Sequence, residues 1–166
     1  RRMKPPTTAP ARPAHAPALR IIRIRPVRLK EVAALEASTF PAGDAFRERS
    51  LRHQMRSPAC DFLGFRAGDG IGGYGTVLYR QGSVKARLYN LVVAPPQRGN
   101  GQARRLMMAL IAAARKRRCL EMTLEVREDN AIAIAFYRKL GFVEFAQAPG
   151  YYHDGAAALK MRMPLL

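Results

Sequence analysis

The stretch LYNLVVAPPQRGNGQARRLM, residues 88–107, decides how the rest of the chain is read. An apolar, strand-like segment runs through a proline pair into two glycines and an asparagine, and then directly into a helix-forming run. A plain turn needs one glycine. The first N–H groups of a helix have no partner inside it, and the helix dipole adds partial positive charge there. Without Cβ atoms at Gly99 and Gly101, a diphosphate can approach those amides closely. Arg98, Arg104 and Arg105 add point charges, and Ala103 is too small to obstruct the approach. The order strand, phosphate loop, helix is therefore expected, with the strand over 84–94 and the helix over 102–118.

Other phosphate-loop readings fit less well. No Walker A pattern is present. GIGGYG, residues 70–75, matches a dinucleotide fingerprint letter for letter, but it follows a turn and runs on into a strand, whereas that fingerprint opens a helix. An ordinary glycine-containing loop ahead of a good helix N-terminus stays open as the plain alternative.

Outward from this stretch, periodicity assigns the remaining elements. RIIRIRPV alternates Ile with Arg, a strand with Ile22 and Ile24 on one face. RLKEVAALEASTF sets Leu29, Val32, Leu35 and Glu36 at helical spacing and stops at Pro41. Asp44 is placed to N-cap a second helix over AFRERSLRHQMRS. Asp69-Gly70 and Gln81-Gly82 mark turns between three antiparallel strands, the third being the most apolar and therefore central. Leu106, Leu110, Ala113 and Ala114 line the helix after the glycine loop. CLEMTLEV places Leu120, Met122, Leu124 and Val126 on one face and Glu121, Thr123 and Glu125 on the other. DNAIAIAFYRKLGF reads as a helix with Ile132, Phe136 and Leu140 as its buried stripe, Gly141 as its C′ residue and Phe142 packing behind. Two strands near 142–148 and 157–163 flank PGYYHDG. The order β-α-α-β-β-β-α-β-α-β-β predicts an α+β fold, one mixed and mostly antiparallel sheet flanked by about four helices.

The chain has 166 residues, 48% of them apolar, which suits one domain with its own core. Residues 1–19, rich in Pro and Ala, read as a disordered basic arm, leaving the domain to 20–166. The net charge is +17, and with five cations and no acid in the first 20 residues, the remainder still carries +12. Such a field attracts nucleotides, RNA or ribosomes and disfavours polycationic small molecules; an arginine-rich compositional bias is the bland alternative. Cys60 and Cys119 sit in no metal spacing and His15, His53 and His153 are scattered, so no metal site is expected. There is neither an 18-residue apolar run nor a secretory h-region. A cytoplasmic protein with reduced thiols and no membrane contact is the expectation.

Arg98-x-x-Gly101-x-Ala103 resembles the R/Q-x-x-G-x-G/A signature of the GNAT acetyltransferase superfamily. LYNLVVAPPQRGNGQARRLM, LEVREDNAIAIAFYRKLGF and GYYHDG together resemble the bacterial ribosomal-protein alanine N-acetyltransferases, over roughly residues 22–163. The resemblance implies acetyl-coenzyme A as co-substrate, with its pyrophosphate on Arg98, Gly99, Asn100, Gly101, Gln102, Ala103 and Arg104. It implies that the backbone of Leu91, Val92 and Val93 bonds the pantetheine arm, and that Asn130, already a good helix N-cap, touches the coenzyme. Glu125 matches the family's general base and Tyr137 its proton donor, while Glu121 and Glu128 serve as controls. On the residues alone, Glu125 reads more readily as a solvated strand acid and Tyr137 as a half-buried packing aromatic.

Acetylating an amine needs a neutral nucleophile, a polarised thioester carbonyl and a proton for the departing thiolate. A protein N-terminal α-amine, as on a ribosomal protein, is the expected acceptor, since its free pKa lies near 8 rather than lysine's 10.4. A small-molecule amine or lysine side chain is the alternative, and a non-enzymatic RNA or ribosome binder using the basic arm is a third. Two departures bear on the acceptor. FPAGDAF lacks the aromatic that follows FP closely in the family, and Ala157 stands near where an acid is usual. Tyr151 and Tyr152 match the family's paired tyrosines beside the incoming peptide.

Overall fold

The computed structural model describes residues 19–166, so the arm expected over 1–19 lies, apart from Leu19, outside the described residues. The elements are β1 (Ile22–Arg23), α1 (Leu29–Thr39), α2 (Glu48–Arg56), β2 (Cys60–Ala67), β3 (Gly70–Tyr79), β4 (Lys85–Val93), α3 (Gln102–Lys116), β5 (Glu121–Arg127), α4 (Ala131–Leu140), β6 (Val143–Ala148) and β7 (Ala158–Pro164). All seven strands form one sheet, in the order β1-β2-β3-β4-β5-β7-β6. Every neighbouring pair is antiparallel except β4 and β5, which α3 joins in parallel. The α+β expectation holds, and β4 is the middle strand.

Two apolar layers cover the two faces. Val77, Ala86, Leu88, Met122 and Leu124 pack under Leu106, Met107, Leu110, Ile111 and Ala114 of α3. On the other face Phe62, Tyr74 and Val92 meet Leu29, Val32 and Leu35 of α1 and Leu51 of α2. The glycines at 72 and 73 in the misleading GIGGYG stretch serve this packing. A Cβ at either would stand 2.7 or 2.5 Å from the Phe65 ring.

Two features of β4 make room for a site. Thr76 pairs with Asn90 and Val77 with Leu88, so Tyr89 is an extra residue without a partner on β3. Such a bulge reverses the side-chain alternation. Leu88 therefore packs toward α3, while Asn90 and Val92 face α1. The parallel pairing of β4 with β5 also ends at Leu88 and Leu124. Beyond that point the sheet splits, with β5 still held by β7 through Glu125, Val126 and Arg127.

Asp61 ties the opposite end together. Its side chain is 4% exposed and accepts from Arg23 at 2.5 Å, Tyr79 at 2.7 Å and Arg117 at 3.0 Å. Burial pushes its carboxyl up, but the hydrogen bonds from Arg117, Arg23 and Tyr79 outweigh this and hold it below the usual carboxylate range.

Three expectations are corrected. Asp44 does not cap α2, which begins at Glu48 with Arg47 in the cap position and no side-chain cap bond. Instead Asp44 donates its amide to the Pro41 carbonyl in a turn of its own. Ile132 is 86% exposed, and Ile134 is the buried residue of α4, with Phe136, Tyr137 and Leu140 packed partly against the same core. Leu120 is 48% exposed and precedes β5, its N–H spent on Val84 and its carbonyl on Leu165, so it does not join the Met122 face.

Candidate active site

The loop after β4 is built as the sequence suggests. Gly99 and Gly101 have φ of 84° and 80°, a left-handed conformation that favours glycine. A Cβ at either would meet nothing within 4 Å. Among the described residues, no protein group accepts from the N–H of Gly99, Asn100, Gly101, Gln102, Ala103 or Arg104. All of these residues but Asn100 line a cleft of about 370 Å³ formed with Val93, Gln97, Phe136 and Lys139. Arg98 reaches back with Nε to the Val93 carbonyl at 2.9 Å, which pins the loop to the end of β4. Unpaired amides, a helix N-terminus and nearby cations make a donor set that fits a diphosphate.

The split in the sheet forms a second cleft of about 310 Å³, whose lining includes Leu91, Glu125, Asn130, Tyr137 and Tyr152. Residues from four separate segments, selected from sequence, therefore meet in one place. The Ala94 amide bonds the Gly72 carbonyl at 2.8 Å. Antiparallel alternation then directs the backbone of Val92 and Asn90 to β3 and that of Leu91 and Val93 into the split. Of the three expected pantetheine residues, Val92 is thus turned the wrong way, and its side chain is core. The Leu91 N–H is held by Asn90 Oδ1 at 3.0 Å.

Glu125 lies on the exposed face of β5, its side chain 18% exposed, with Oε2 accepting from Arg87 Nε at 3.1 Å. Glu121 sits at the far end of the strand opposite Lys85, and Glu128 accepts from Gln147, so neither control lines the cleft. Tyr137 is wedged edge-on between Phe136 and Phe142, with ring centroids 5.3 and 5.7 Å away. The α4 ends hold it there. Asn130 Oδ1 caps the Ala133 amide at 3.1 Å, leaving Nδ2 free of the cap, and Gly141 terminates the helix in the left-handed region as Phe142 bonds the Tyr137 carbonyl. Burial, and less so nearby Tyr152, pushes the Tyr137 phenol up to about 12, so it stays protonated at neutral pH.

Beside this cleft lies a third, of about 440 Å³, between the α1–α2 loop and the β6–β7 loop. Phe46, Tyr89 and Tyr152 wall it, and His153 bonds Asp44 across its mouth at 2.9 Å. Phe46, ring centroid 5.5 Å from Tyr89, supplies an aromatic wall that the unusual FPAGDAF segment had put in doubt. Tyr152 borders both clefts, and Tyr151 accepts from Arg87 at 3.1 Å.

Sequence reasoning missed two groups. Arg87 shares the Glu125 face of the sheet, as strand alternation shows once β4 and β5 are known to be neighbours. Glu36, only 1% exposed, accepts from the Phe46 amide at 2.9 Å and from Tyr74 and Asn90. Its appearance in the apolar stripe of α1 was the available signal. Burial, with Glu36 beside it, pushes the Tyr74 phenol far up, so Tyr74 acts as donor. This network braces the bulge from below. Among the described residues no cluster of His, Cys, Asp and Glu could hold a metal ion, and no helix is long and apolar enough to cross a membrane.

A mixed sheet split beside a parallel pair, with a bare-amide loop at one end and an acid and a phenol in the gap, is an arrangement that suits an acyltransferase. The chain belongs to the acetyltransferase (GNAT) family, whose sequence profile matches residues 29–142. It is similar to the N-alpha-acetyltransferase RimI of Mycobacterium tuberculosis, 33% identical over 133 residues, 78% of this chain and 82% of that one. It is also similar to the streptothricin acetyltransferase of Streptomyces lavendulae, 34% identical over 107 residues, 62% of this chain and 57% of the relative. Among solved structures, the ribosomal-protein-S18-alanine N-acetyltransferase of Escherichia coli superposes with a TM-score of 0.77 at 26% identity, covering 89% of this chain and 94% of that one.

Proposed function

We propose that the protein transfers acetyl from acetyl-coenzyme A to the α-amine at a protein N-terminus, a ribosomal protein being the leading candidate. One observation carries this reading: Glu125 and Tyr137 line a single cleft whose open strand edge leads to six unpaired amides. In it the 99–104 amides, with Arg98, Arg104 and Lys139, hold the pyrophosphate, while Leu91 and Val93 offer main-chain partners to the peptide-like arm. Asn130 contributes its free amide nitrogen. Glu125 receives the proton of the attacking amine, directly or through water, and Tyr137 returns one to the departing thiolate. The RimI similarity supports an N-terminal acceptor. A reducing cytoplasmic setting suits the two buried, unpaired cysteines, and the +17 charge favours encounters with polyanionic ribosomal surfaces.

A small-molecule amine is the second reading, favoured by Glu36, Asp44 and Asp154 around the third cleft and by the streptothricin enzyme's similarity. Thiol release from acetyl-coenzyme A, measured with Ala-starting peptides, Lys-containing blocked peptides and simple amines, separates the two. Turnover only with free peptide N-termini is expected. Turnover with small amines and none with peptides would replace the first reading with the second.

A further inference from the structure

A cavity of about 580 Å³ lies beside the clefts described above, and no role has been given to it. Its floor is a cross-strand row, Cys60 opposite Leu78 and Leu78 opposite Arg87. Helix α2 forms the wall with Arg49, Ser50, His53 and Gln54. Its lining holds two arginines and a histidine and no acid. Gln54 is only 7% exposed, yet its Oε1 has no partner. A buried amide left unsatisfied costs free energy unless something arrives to bond it.

This cavity is continuous in its walls with the acceptor side of the active site. Phe46 and Tyr89 line both it and the third cleft. Arg87 reaches from its floor to Glu125 with Nε and to Tyr151 with Nη2. The third cleft, by contrast, carries Glu36, Asp44 and Asp154 against Arg127 and His153. The groove is therefore polarised, with acids near where an amine enters and cations farther along.

Building on the N-terminal acceptor reading, we infer that this cavity selects acceptor peptides bearing a carboxylate a short way behind the amine. An arginine side chain separates the cavity floor from Glu125, and extended chain advances about 3.3–3.6 Å per residue, which puts the acidic side chain roughly two to four residues in. Arg49 and His53 receive the carboxylate, with Arg87, already bonded to Glu125 and Tyr151, behind them, and the Gln54 amide bonds the peptide main chain. Charged hydrogen bonds of this kind favour the acidic peptide over its amide isostere by roughly ten- to a hundredfold in kcat/KM. The N-terminal residue itself is left to the third cleft.

The test is a set of Ala-starting peptides that differ only by Asp or Glu, Asn or Gln, or Lys at positions two to four, assayed by thiol release with the full chain. Acidic peptides should lead, and Arg49→Gln should bring the acid-to-amide ratio toward one. His53→Gln is an independent second variant in case the first folds poorly. Equal use of acidic, amide and Lys peptides by the wild-type protein would overturn this inference while leaving the N-terminal reading intact. No turnover of any free N-terminus, with small amines accepted, would overturn both. Inhibition by a short RNA without any acid preference among peptides would reassign the cavity to phosphate and likewise overturn it.

Discussion

Gly101 offers a perturbation whose two effects can be separated. Its φ of 80° costs an alanine about 1–2 kcal/mol, the usual penalty for an L-residue in the left-handed region. Gly82, in the β3–β4 turn, has φ of 75° and the same absence of neighbours within 4 Å of a Cβ. Gly82→Ala and Gly101→Ala should therefore lose similar stability, a fall of about 2–8 °C in Tm for a domain of this size. Only Gly101→Ala puts a methyl into the cleft bordered by the 99–104 amides. Coenzyme A affinity, measured by calorimetry, should fall at least tenfold for Gly101→Ala and stay level for Gly82→Ala. Gly101→Asn sharpens the comparison, because Asn enters the left-handed region cheaply. It should keep near wild-type stability and still lose the coenzyme. If Gly101→Ala and Gly101→Asn bind coenzyme A as tightly as Gly82→Ala does, the diphosphate does not dock on these amides and the transfer geometry built on them is wrong.

Glu125→Gln should lower kcat by about two to four orders of magnitude with coenzyme A affinity unchanged; full activity would remove Glu125 as base. Tyr137 governs the alkaline side. Its phenol, pushed up to about 12, favours the protonated form in the folded state, so its contribution to stability is complete below the free phenol's pKa near 10 and is lost as pH climbs toward 12. The rate should accordingly rise through the acceptor amine's pKa near 8 and stay level past pH 10, whereas a descending limb centred near 10 would show that a different, unburied group donates the proton. Asp61→Asn should cost about 2 kcal/mol by weakening three bonds that include two half-exposed arginines. The Asp61 carboxyl is held low, so its contribution is present above the ordinary carboxylate pKa and is lost as the pH falls below that value through the lowered folded-state one. Urea midpoints should therefore separate wild type from Asp61→Asn at pH 7 and converge in acid.

Local chemistry made much of this architecture readable. The Gly99–Gly101 pair, the Asn130 cap, the Gly141 stop and the alternation in β5 each follow from backbone preferences that act within a few residues. They were enough to put Glu125 on a strand, Tyr137 on a helix and the bare-amide loop between β4 and α3, while the roles of Glu125 and Tyr137 came from the family resemblance. What escaped depends on partners distant in sequence. Strand β5 pairs with β4 only as far as Leu88 and Leu124 while β7 holds its other edge through Arg127, and that long-range pairing leaves the β4 side of Glu125 open. The Tyr89 bulge is visible only once β3 is paired with β4, as is the alternation that turns the main chain of Val92 to β3 and that of Leu91 and Val93 to the split. Asp44 had the chemistry of a cap, but the Pro41 turn captured its backbone first. Ile132 had the spacing of a core residue, but the helix docks on the sheet through Ile134 instead.

The split between β4 and β5 has a thermodynamic corollary. Main-chain groups of Leu91 and Val93 on one lip face a strand with which they never pair, so a peptide-like molecule lying there finishes the sheet as a noncovalent strand. If the proposed coenzyme site is right, the folded state is linked to the concentration of its own co-substrate, gaining about 2.7 kcal/mol at a hundred times Kd. A cell rich in acetyl donor would thereby lengthen the lifetime of the protein that consumes it, and starvation would hand it more readily to proteases.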